Sequence, residues 1–548
     1  MRLIAAFLGT SNYQPGRYVW DGDQHFLADS ALTSHETCFV QAALARLLVP
    51  DRFIVFVTPD AEKKHWQGLL DAFAQADLSP PERIRIHNGE DAEEVISNFR
   101  TIVDALNHPD LFPRRDKPGP GDQVFIDITH GFRSLPFFAG AAISLLKAVR
   151  ADWPRTRIVY GAWEAGKEVR GLREAPIWDL TYFVDMVDWA QALRLFLKTG
   201  RAEDAARIGT EVGNRLSAEW ARGGREGERP QLKDFGAALR EFSGHFATVR
   251  TGRLLLGDGR TPSLADRLLE RARAIRDHAG AHLPGLDFVL EDLVAMIEPL
   301  AGSPRDLAGP GNAGRVAALA ELYRRFERPL QAAMTLREGY INLVARPEAA
   351  RPGAPSFDRH ARERAEGIAR SLFPRFRDEA SDLRNDLMHA GYRENAVAPD
   401  QLLDRLGRVL DGFREDSRIS GVFLNISNHP SAEWNEDQRS AALALGQPIR
   451  DLPFPEVPAE ADETWIQRMA DELAAAATAL APAAALVQGE FTLTFALVDR
   501  LEKAGVPCYA ASTPRLVEPL DENAGQMRPA AKSTRRSFRF TRLRRYRP

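Results

Sequence analysis

A chain of 548 residues is too long for one hydrophobic core and predicts two to four domains. Its 44% hydrophobic and 27% charged residues are those of an ordinary soluble protein, which sets aside disordered and collagen-like classes. A net charge of −4 gives no global nucleic-acid footprint, so any phosphate contact must come from a local basic patch. The two cysteines, Cys38 and Cys508, are far apart and have no metal-ligand spacing, which fits a reducing cytosol and argues against a disulfide framework. Residues 1–8 are too short for a signal peptide, and 473–487 are too short for a membrane span and contain Pro482. A cytoplasmic protein with no membrane partner is expected.

Residues 1–188 alternate strand and helix signals. Residues 3–8 are apolar and lead into Gly9, Thr10, Ser11, Asn12 and Tyr13, a small hydroxyl-rich loop. Residues 13–24 read as a polar, aromatic insertion, either a hairpin over a ligand or a decorated sheet edge. A helix is expected at 36–48, a strand at 53–58 (FIVFVT), a helix at 62–76, a strand at 83–87 and an amphipathic helix at 92–106. A charged, proline-rich loop at 110–122 precedes the most legible stretch, QVFIDITHGFRSLPFFAGAAISLLKAVR. There a short apolar strand breaks into Asp127, Thr129, His130, Gly131, Arg133 and Ser134, and Pro136 opens a buried helix. A further strand is expected at 157–162. The βαβ rhythm predicts a parallel sheet with helices on both faces, and two such strand exits form a pocket where helix amides and Arg133 attract phosphate. Either loop can also be an ordinary turn, and His130 a satisfied turn histidine.

FLGTSNY at 7–13 and DITHGFRSLP at 127–136 resemble the two signature loops of CARF domains, the Rossmann-like sensors of CRISPR-associated effectors. The resemblance covers residues 1–188. It implies a paired sensor that binds a cyclic oligoadenylate across the dimer axis. Gly9, Thr10, Ser11 and Asn12 would lie on one side of the ring, and Thr129, His130, Gly131, Arg133 and Ser134 on the other.

From about residue 184 the spacing turns helical, at 193–197, 202–216, 232–250, 262–279, 285–300, 315–345 and 360–372. Loops are expected at 221–230, 302–314 and 345–356, and no convincing strand occurs between 188 and 417. Residues 189–417 therefore read as an all-helical bundle. Within it LRNDLMHAGYREN at 383–395 carries Arg384, Asn385 and His389. An arginine holds a scissile phosphate and stabilises its growing charge, and a histidine moves protons at the 2′-hydroxyl and the leaving oxygen; that route needs no metal.

The bare Arg-x4-His pattern occurs three times, at Arg240–His245, Arg273–His278 and Arg384–His389. Only the last has an amide after the arginine and sits late in the helical region. It resembles the HEPN ribonuclease motif, which implies that Arg384 and His389 are catalytic, that Asn385 supports them, and that two copies face each other in a composite site. The first two matches are treated as coincidental. His278 and His282 have zinc-like i, i+4 spacing without a third ligand, so no metal is assigned.

Residues 418–548 return to α/β. Strands are expected at 421–426, 449–454, 484–488 and 507–511, with helices at 435–445, 463–480 and 495–504. Polar groups follow three strands: Asn428 and His429, then Gly489, Glu490 and Thr492, then Ser512 and Arg515. Such exits suggest a second nucleotide-sized crevice. Residues 532–547 alternate arginine with Phe538, Phe540, Leu543 and Tyr546, which predicts an edge strand with an arginine-rich face; the competing view is a disordered basic tail. NISNHPS, QGEFT and SFRFTRLRRY resemble small CRISPR accessory proteins that include ring nucleases. That resemblance implies a module that binds or degrades the signal, with His429, Glu490 and Arg515 as the residues to test.

The expected fold is thus α/β, then all-α, then α/β. The expected function is a cytoplasmic endoribonuclease that cuts single-stranded RNA in type III CRISPR antiviral defence. Cyclic tetra-adenylate would switch it on as an allosteric activator, no cofactor is required, and a homodimer or higher homo-oligomer carries the site. The alternatives are a nucleotide-responsive regulator without cleavage and a toxin-type HEPN protein without cyclic oligoadenylate control.

Overall fold

The computed structural model describes residues 1–22, 24–115, 119, 121–130, 135–150, 152–222, 231–282, 286–389, 392, 398–513, 515–519, 534–538 and 540–547. The chain divides into two compact units, Met1–Val187 and Asp188–Pro548.

The first unit contains β1 (Arg2–Leu8), β2 (Gly16–Trp20), β3 (Ser34–Thr37), α1 (Val40–Leu48), β4 (Arg52–Val57), α2 (Pro59–Gln75), β5 (Glu82–Arg85), α3 (Ala92–Leu106), β6 (Gln123–Asp127), α4 (Leu135–Val149), β7 (Arg155–Gly161), β8 (Lys167–Val169) and β9 (Leu172–Asp179). Strand order is β3-β2-β9-β7-β6-β1-β4-β5, with β8 on β9. β5, β4, β1, β6 and β7 are mutually parallel. The alternation of β1 explains its central place. Ile4, Ala6 and Leu8 enter one core with α1 and α2, while Leu3, Ala5 and Phe7 enter another with α3 and α4.

The sheet departs from the expected all-parallel form. β9 runs antiparallel to β7, and β3 antiparallel to β2. The helix expected at 36–48 starts only at Val40, because Ser34–Thr37 pairs with β2, Tyr18 facing His35. Of the two possibilities for 13–24, the decorated edge is the one found: β2 joins the sheet beside β9.

The second unit begins within α5 (Thr181–Thr199) and continues through α6 (Glu203–Arg222), α7 (Leu232–Ala247), α8 (Thr251–Leu255), α9 (Leu264–His282), α10 (Leu286–Ile297), α11 (Ala313–Arg325), α12 (Pro329–Val344), α13 (Arg359–Leu372), α14 (Ser381–Met388) and α15 (Pro399–Asp416). No strand occurs among the described residues of this part. The helical stretch expected at 315–345 is two helices, because Glu327 takes a left-handed φ of 54° and Pro329 opens α12. Tyr340 of α12 lies 5.6, 5.4 and 5.1 Å from the rings of Phe373, Phe376 and Phe413. That aromatic cluster fixes the π turn Phe376–Ala380, which runs directly into α14.

The same unit closes with β10 (Phe423–Ser427), α16 (Glu436–Leu443), β11 (Ile449–Asp451), α17 (Glu463–Thr478), β12 (Ala484–Gln488), α18 (Phe491–Lys503), β13 (Cys508–Ser512), β14 (Arg515–Pro519), β15 (Thr534–Phe538) and β16 (Arg542–Arg545). The order β11-β10-β12-β13-β16 is parallel except for β16. β11 ends at Asp451, short of the expected residue 454, because Pro453 has no N–H for the ladder. The basic end forms two strands rather than one: β15 pairs with β14, and β16 closes the sheet edge against β13. Arg364 of α13 and Glu472 of α17 make an ion pair at 2.5 Å, with the Glu472 side chain only 8% exposed, and this ties the helices to the second sheet. Among the described residues no helix is long and apolar enough to cross a membrane.

Candidate functional site

In the first unit the chain passes from β1 to β4 and β5 on one side, and to β6 and β7 on the other. The connection direction therefore reverses between β1 and β6, and a crevice opens at their carboxyl ends. The two loops singled out from sequence leave these two strands. Gly9 is buried at the end of β1, while Thr10, Ser11 and Asn12 are exposed at the rim. Thr129 and His130 follow β6 and are half-buried. Gly131, Arg133 and Ser134 lie outside the described residues.

Tyr13 organises the crevice floor. Its hydroxyl accepts the Gly9 N–H at 3.0 Å, and its ring lies 4.5 Å from His130, 4.7 Å from His65 and 4.6 Å from Phe39. Burial keeps its phenol protonated well above the usual range. Lys64 Nζ donates to the Thr10 carbonyl at 2.6 Å and to Asn12 Oδ1 at 3.3 Å, so a cation from α2 sits under the first loop. Asp127 accepts the N–H of Thr129 at 2.9 Å and also its hydroxyl. The Gly161 N–H in turn donates to Thr129 Oγ1 at 2.7 Å. A side chain at Gly161 would strike Val40, so the close approach of β7 needs glycine there.

Burial pushes the Asp127 carboxyl up to about 6, against the two bonds from Thr129. Burial lowers His130 to about 4 and also lowers His65, where the charge of Lys64 adds to the effect. Asp127 Oδ2, His130 Nε2, His65 Nε2 and Gln41 Oε1 are buried and have no hydrogen-bond partner among the described residues. Four such atoms around one crevice are the kind of exception that bound water or ligand explains. Lys64, His65 and Gln41 were missed from sequence. The signal was present: KKHW lies in the second turn of a helix that follows directly on an apolar parallel strand.

The arginine–histidine pair lies on α14. Ser381, Leu383 and Asp386 face inward, and the Ser381 hydroxyl donates to the Phe376 carbonyl at 2.8 Å across the π turn. Asn385 and His389 are exposed and Arg384 is half-buried. Arg384 donates to Asn385 Oδ1 at 2.9 Å, so the amide orients the guanidinium. His389 is the first residue past the helix; its N–H closes on the Asn385 carbonyl at 3.0 Å, and its carbonyl accepts the N–H of exposed Tyr392 at 2.9 Å. Five residues on a helix subtend about 140° and rise about 7.5 Å, so both side chains can reach one groove near the helix end. Among the described residues the His389 imidazole has no bonded partner. The side chains of His278 and His282 lie outside the description, and no three His, Cys, Asp or Glu side chains among the described residues gather as a metal site requires.

The second sheet reverses direction between β10 and β12, which again places a crevice at the carboxyl ends. Ser427 faces Gln488 in the register, so the loop with Asn428 and His429 stands beside the loop with Gly489, Glu490 and Thr492. A buried network holds the first loop. Asn425 Nδ2 donates to the His429 carbonyl at 2.8 Å and to Asp451 Oδ1 at 2.7 Å, and the Ser431 hydroxyl donates to Asp451 Oδ2 at 2.8 Å. His429 itself is exposed. Gly489 is obligatory, since an added Cβ would lie 2.3 Å from the Phe454 ring.

Glu490 caps α18. It accepts the N–H groups of Thr492 at 3.0 Å and Leu493 at 2.9 Å, and the Thr492 hydroxyl at 2.7 Å. Those bonds hold its carboxyl below the usual range. Ser512 ends β13 opposite Arg542 of β16, and Arg544 approaches its hydroxyl at 3.4 Å. Arg545 and Arg547 are paired with Glu502 and Asp499. Lys532, Arg539 and the Arg515 side chain lie outside the description. Asp451 was missed from sequence because its role is to fix a loop across a strand pair.

Comparison with known proteins touches a limited part of the chain. A family model described as the Uncharacterized protein MJ1673 family matches residues 421–544, the span of the second sheet. A 117-residue stretch is 26% identical to the CRISPR-associated protein MJ1674 of Methanocaldococcus jannaschii. That match takes in 21% of this chain and spans 16% of the relative's length.

Proposed function

We propose that the chain is an endoribonuclease of a CRISPR-associated defence system, switched on by a cyclic oligoadenylate held in the crevice between β1 and β6. The observation that carries the nuclease reading is the arrangement on α14. An arginine is oriented by its neighbouring amide on a helix anchored by Leu383, and five residues on stands an exposed histidine with no bonded partner among the described residues. The CRISPR association of the relative supports the biological setting.

In this reading His389 accepts the 2′-hydroxyl proton, the 2′-oxygen attacks phosphorus, and the bond to the 5′-oxygen breaks. A cyclic phosphate is left on one product, and a proton passes to the departing oxygen from His389 of a second copy. Arg384 stabilises the charge on the phosphoryl oxygens. Exposed Phe137, Leu145 and Val149 on α4, and Phe183, Val187 and Leu195 on α5, supply apolar faces that a second copy would cover.

In the first crevice Thr10, Ser11 and Asn12 offer hydroxyl and amide groups to a nucleotide, Thr129 braces the second loop through Asp127 and Gly161, and His130 gains a proton more readily beside phosphate. For the C-terminal crevice we favour nucleotide binding over hydrolysis, because both Glu490 oxygens are engaged in capping α18. The deciding assay measures cleavage of single-stranded RNA by the full chain with and without cyclic tetra-adenylate, for wild type, Arg384→Ala and His389→Ala. Each substitution is expected to lower activated cleavage by at least ~100-fold while leaving cyclic tetra-adenylate binding intact. Equal cleavage by the variants, or cleavage indifferent to the nucleotide, overturns the proposal.

A further inference from the structure

The Arg240–His245 match, set aside on sequence grounds, lies in a cleft of the helical part. The cleft measures about 340 Å³ and is lined by Arg240, Glu241, His245 and Thr248 of α7 and by Arg250 and Arg253 beyond it. Arg240, Arg250 and Arg253 are exposed, and among the described residues none of them makes an ion pair. Other arginines of the helical part differ: Arg267 is paired with Glu241 at 2.5 Å, Arg273 with Glu298, and Arg324 with Glu321 at 2.6 Å. Glu241 is therefore already neutralised, and three positive charges remain. The end of α7 contributes only about half a negative charge from its carbonyls, so the guanidinium groups decide the local field. His245 Nδ1 is buried without a partner among the described residues, as a donor or acceptor kept for something else would be.

We infer that this cleft binds the phosphate backbone of a single-stranded RNA, seating about one nucleotide in the cleft and running the strand past Arg250 and Arg253. Guanidinium forks suit phosphate oxygens, and with three arginines and no Phe, Tyr or Trp among the described lining residues, backbone charge rather than base stacking dominates recognition. The choice of RNA rests on the ribonuclease proposal; the test does not rest on cleavage.

The probe is a fluorescent 2′-O-methyl oligoribonucleotide, which lacks the nucleophilic hydroxyl, titrated against the full chain at 50 and 200 mM salt. Three phosphate contacts give a slope near −2.1 in the log–log salt plot, which is about a 20-fold change over this fourfold salt range. The triple variant Arg240→Gln, Arg250→Gln, Arg253→Gln should lose that much of the salt dependence. The triple lysine variant should retain most of it. The single Arg253→Gln variant, at an exposed position with no ion pair among the described residues, should flatten the slope by about 0.7. Unchanged affinity and slope in a folded triple variant overturn the inference. So does a loss of AMP binding with RNA binding intact, which would assign the cleft to a free nucleotide. RNA bound through these arginines by a chain that does not cleave would instead sink the nuclease proposal and leave the cleft standing.

Discussion

Asp127 provides the sharpest test of the first crevice. It is fully buried at the end of β6, one of its oxygens is unpartnered among the described residues, and its pKa stands at about 6 against an ordinary 3.8. The folded state thus binds more protons than the unfolded state between these values. Its contribution to stability falls as pH rises from about 4 to about 6, and stays reduced above that. A shift of two units corresponds to ~3 kcal/mol. His130 acts in the opposite sense. Its folded pKa of about 4 lies below the ordinary 6.5, so its contribution falls as pH drops from 6.5 towards 4. In wild type the two slopes largely cancel.

Asp127→Asn removes only the first slope. The amide still accepts the Thr129 bonds, and its unpaired N–H₂ costs ~1–3 kcal/mol, independent of pH. The stability of the variant relative to wild type should therefore rise by ~3 kcal/mol between pH 4 and pH 7. Hydrogen exchange of peptides covering β1 and β6 reads the opening free energy locally, so the second unit does not enter the measurement. A difference that stays flat across this range would refute the burial argument.

Other substitutions probe the remaining links. Lys64→Ala removes the cation under Thr10 and Asn12, and should weaken cyclic tetra-adenylate binding about tenfold by calorimetry, as expected for a charge-assisted contact. Arg364→Ala strands the buried Glu472 carboxylate and should destabilise the second unit by ~3 kcal/mol in urea unfolding, with Arg364→Met plus Glu472→Leu recovering most of the loss. Glu490→Ala should cost ~1 kcal/mol of stability as a lost cap, and Glu490→Gln should leave any breakdown of cyclic tetra-adenylate unchanged. A large activity loss in Glu490→Gln at unchanged stability would make it a catalytic group.

The legible parts of the sequence were those where one strand carries its own signal. β1, β4, β6 and β12 are buried on both faces and read as unbroken apolar runs, and the polar residues that end them mark the two crevices. β2, β3 and β9 were obscure because their place depends on pairing with distant partners: β3 became a strand only through β2, and β2 only through β9. In β9 a weak cue existed, the buried alternation of Ala175 and Ile177. The end strand β16 was readable because Leu543 alternates inward between Arg542 and Arg544.

Glu490 shows how a helix boundary bears on a functional reading. A helix starting at 495 leaves Glu490 as a free acid at a strand exit, and a catalytic role then looks natural. The helix starts at Phe491, which turns the same carboxylate into its N-cap, with its lone pairs committed to Thr492 and Leu493. Arg384 and His389 present the reverse case. No boundary shift alters their separation, because both lie on or just past the same short helix and the geometry follows from the period alone. About 140° around the axis and about 7.5 Å along it still let both side chains reach one groove near the helix end. In the proposed chemistry such pairs from two copies meet, and a nucleotide that changes how the copies are held would act on cleavage through that meeting.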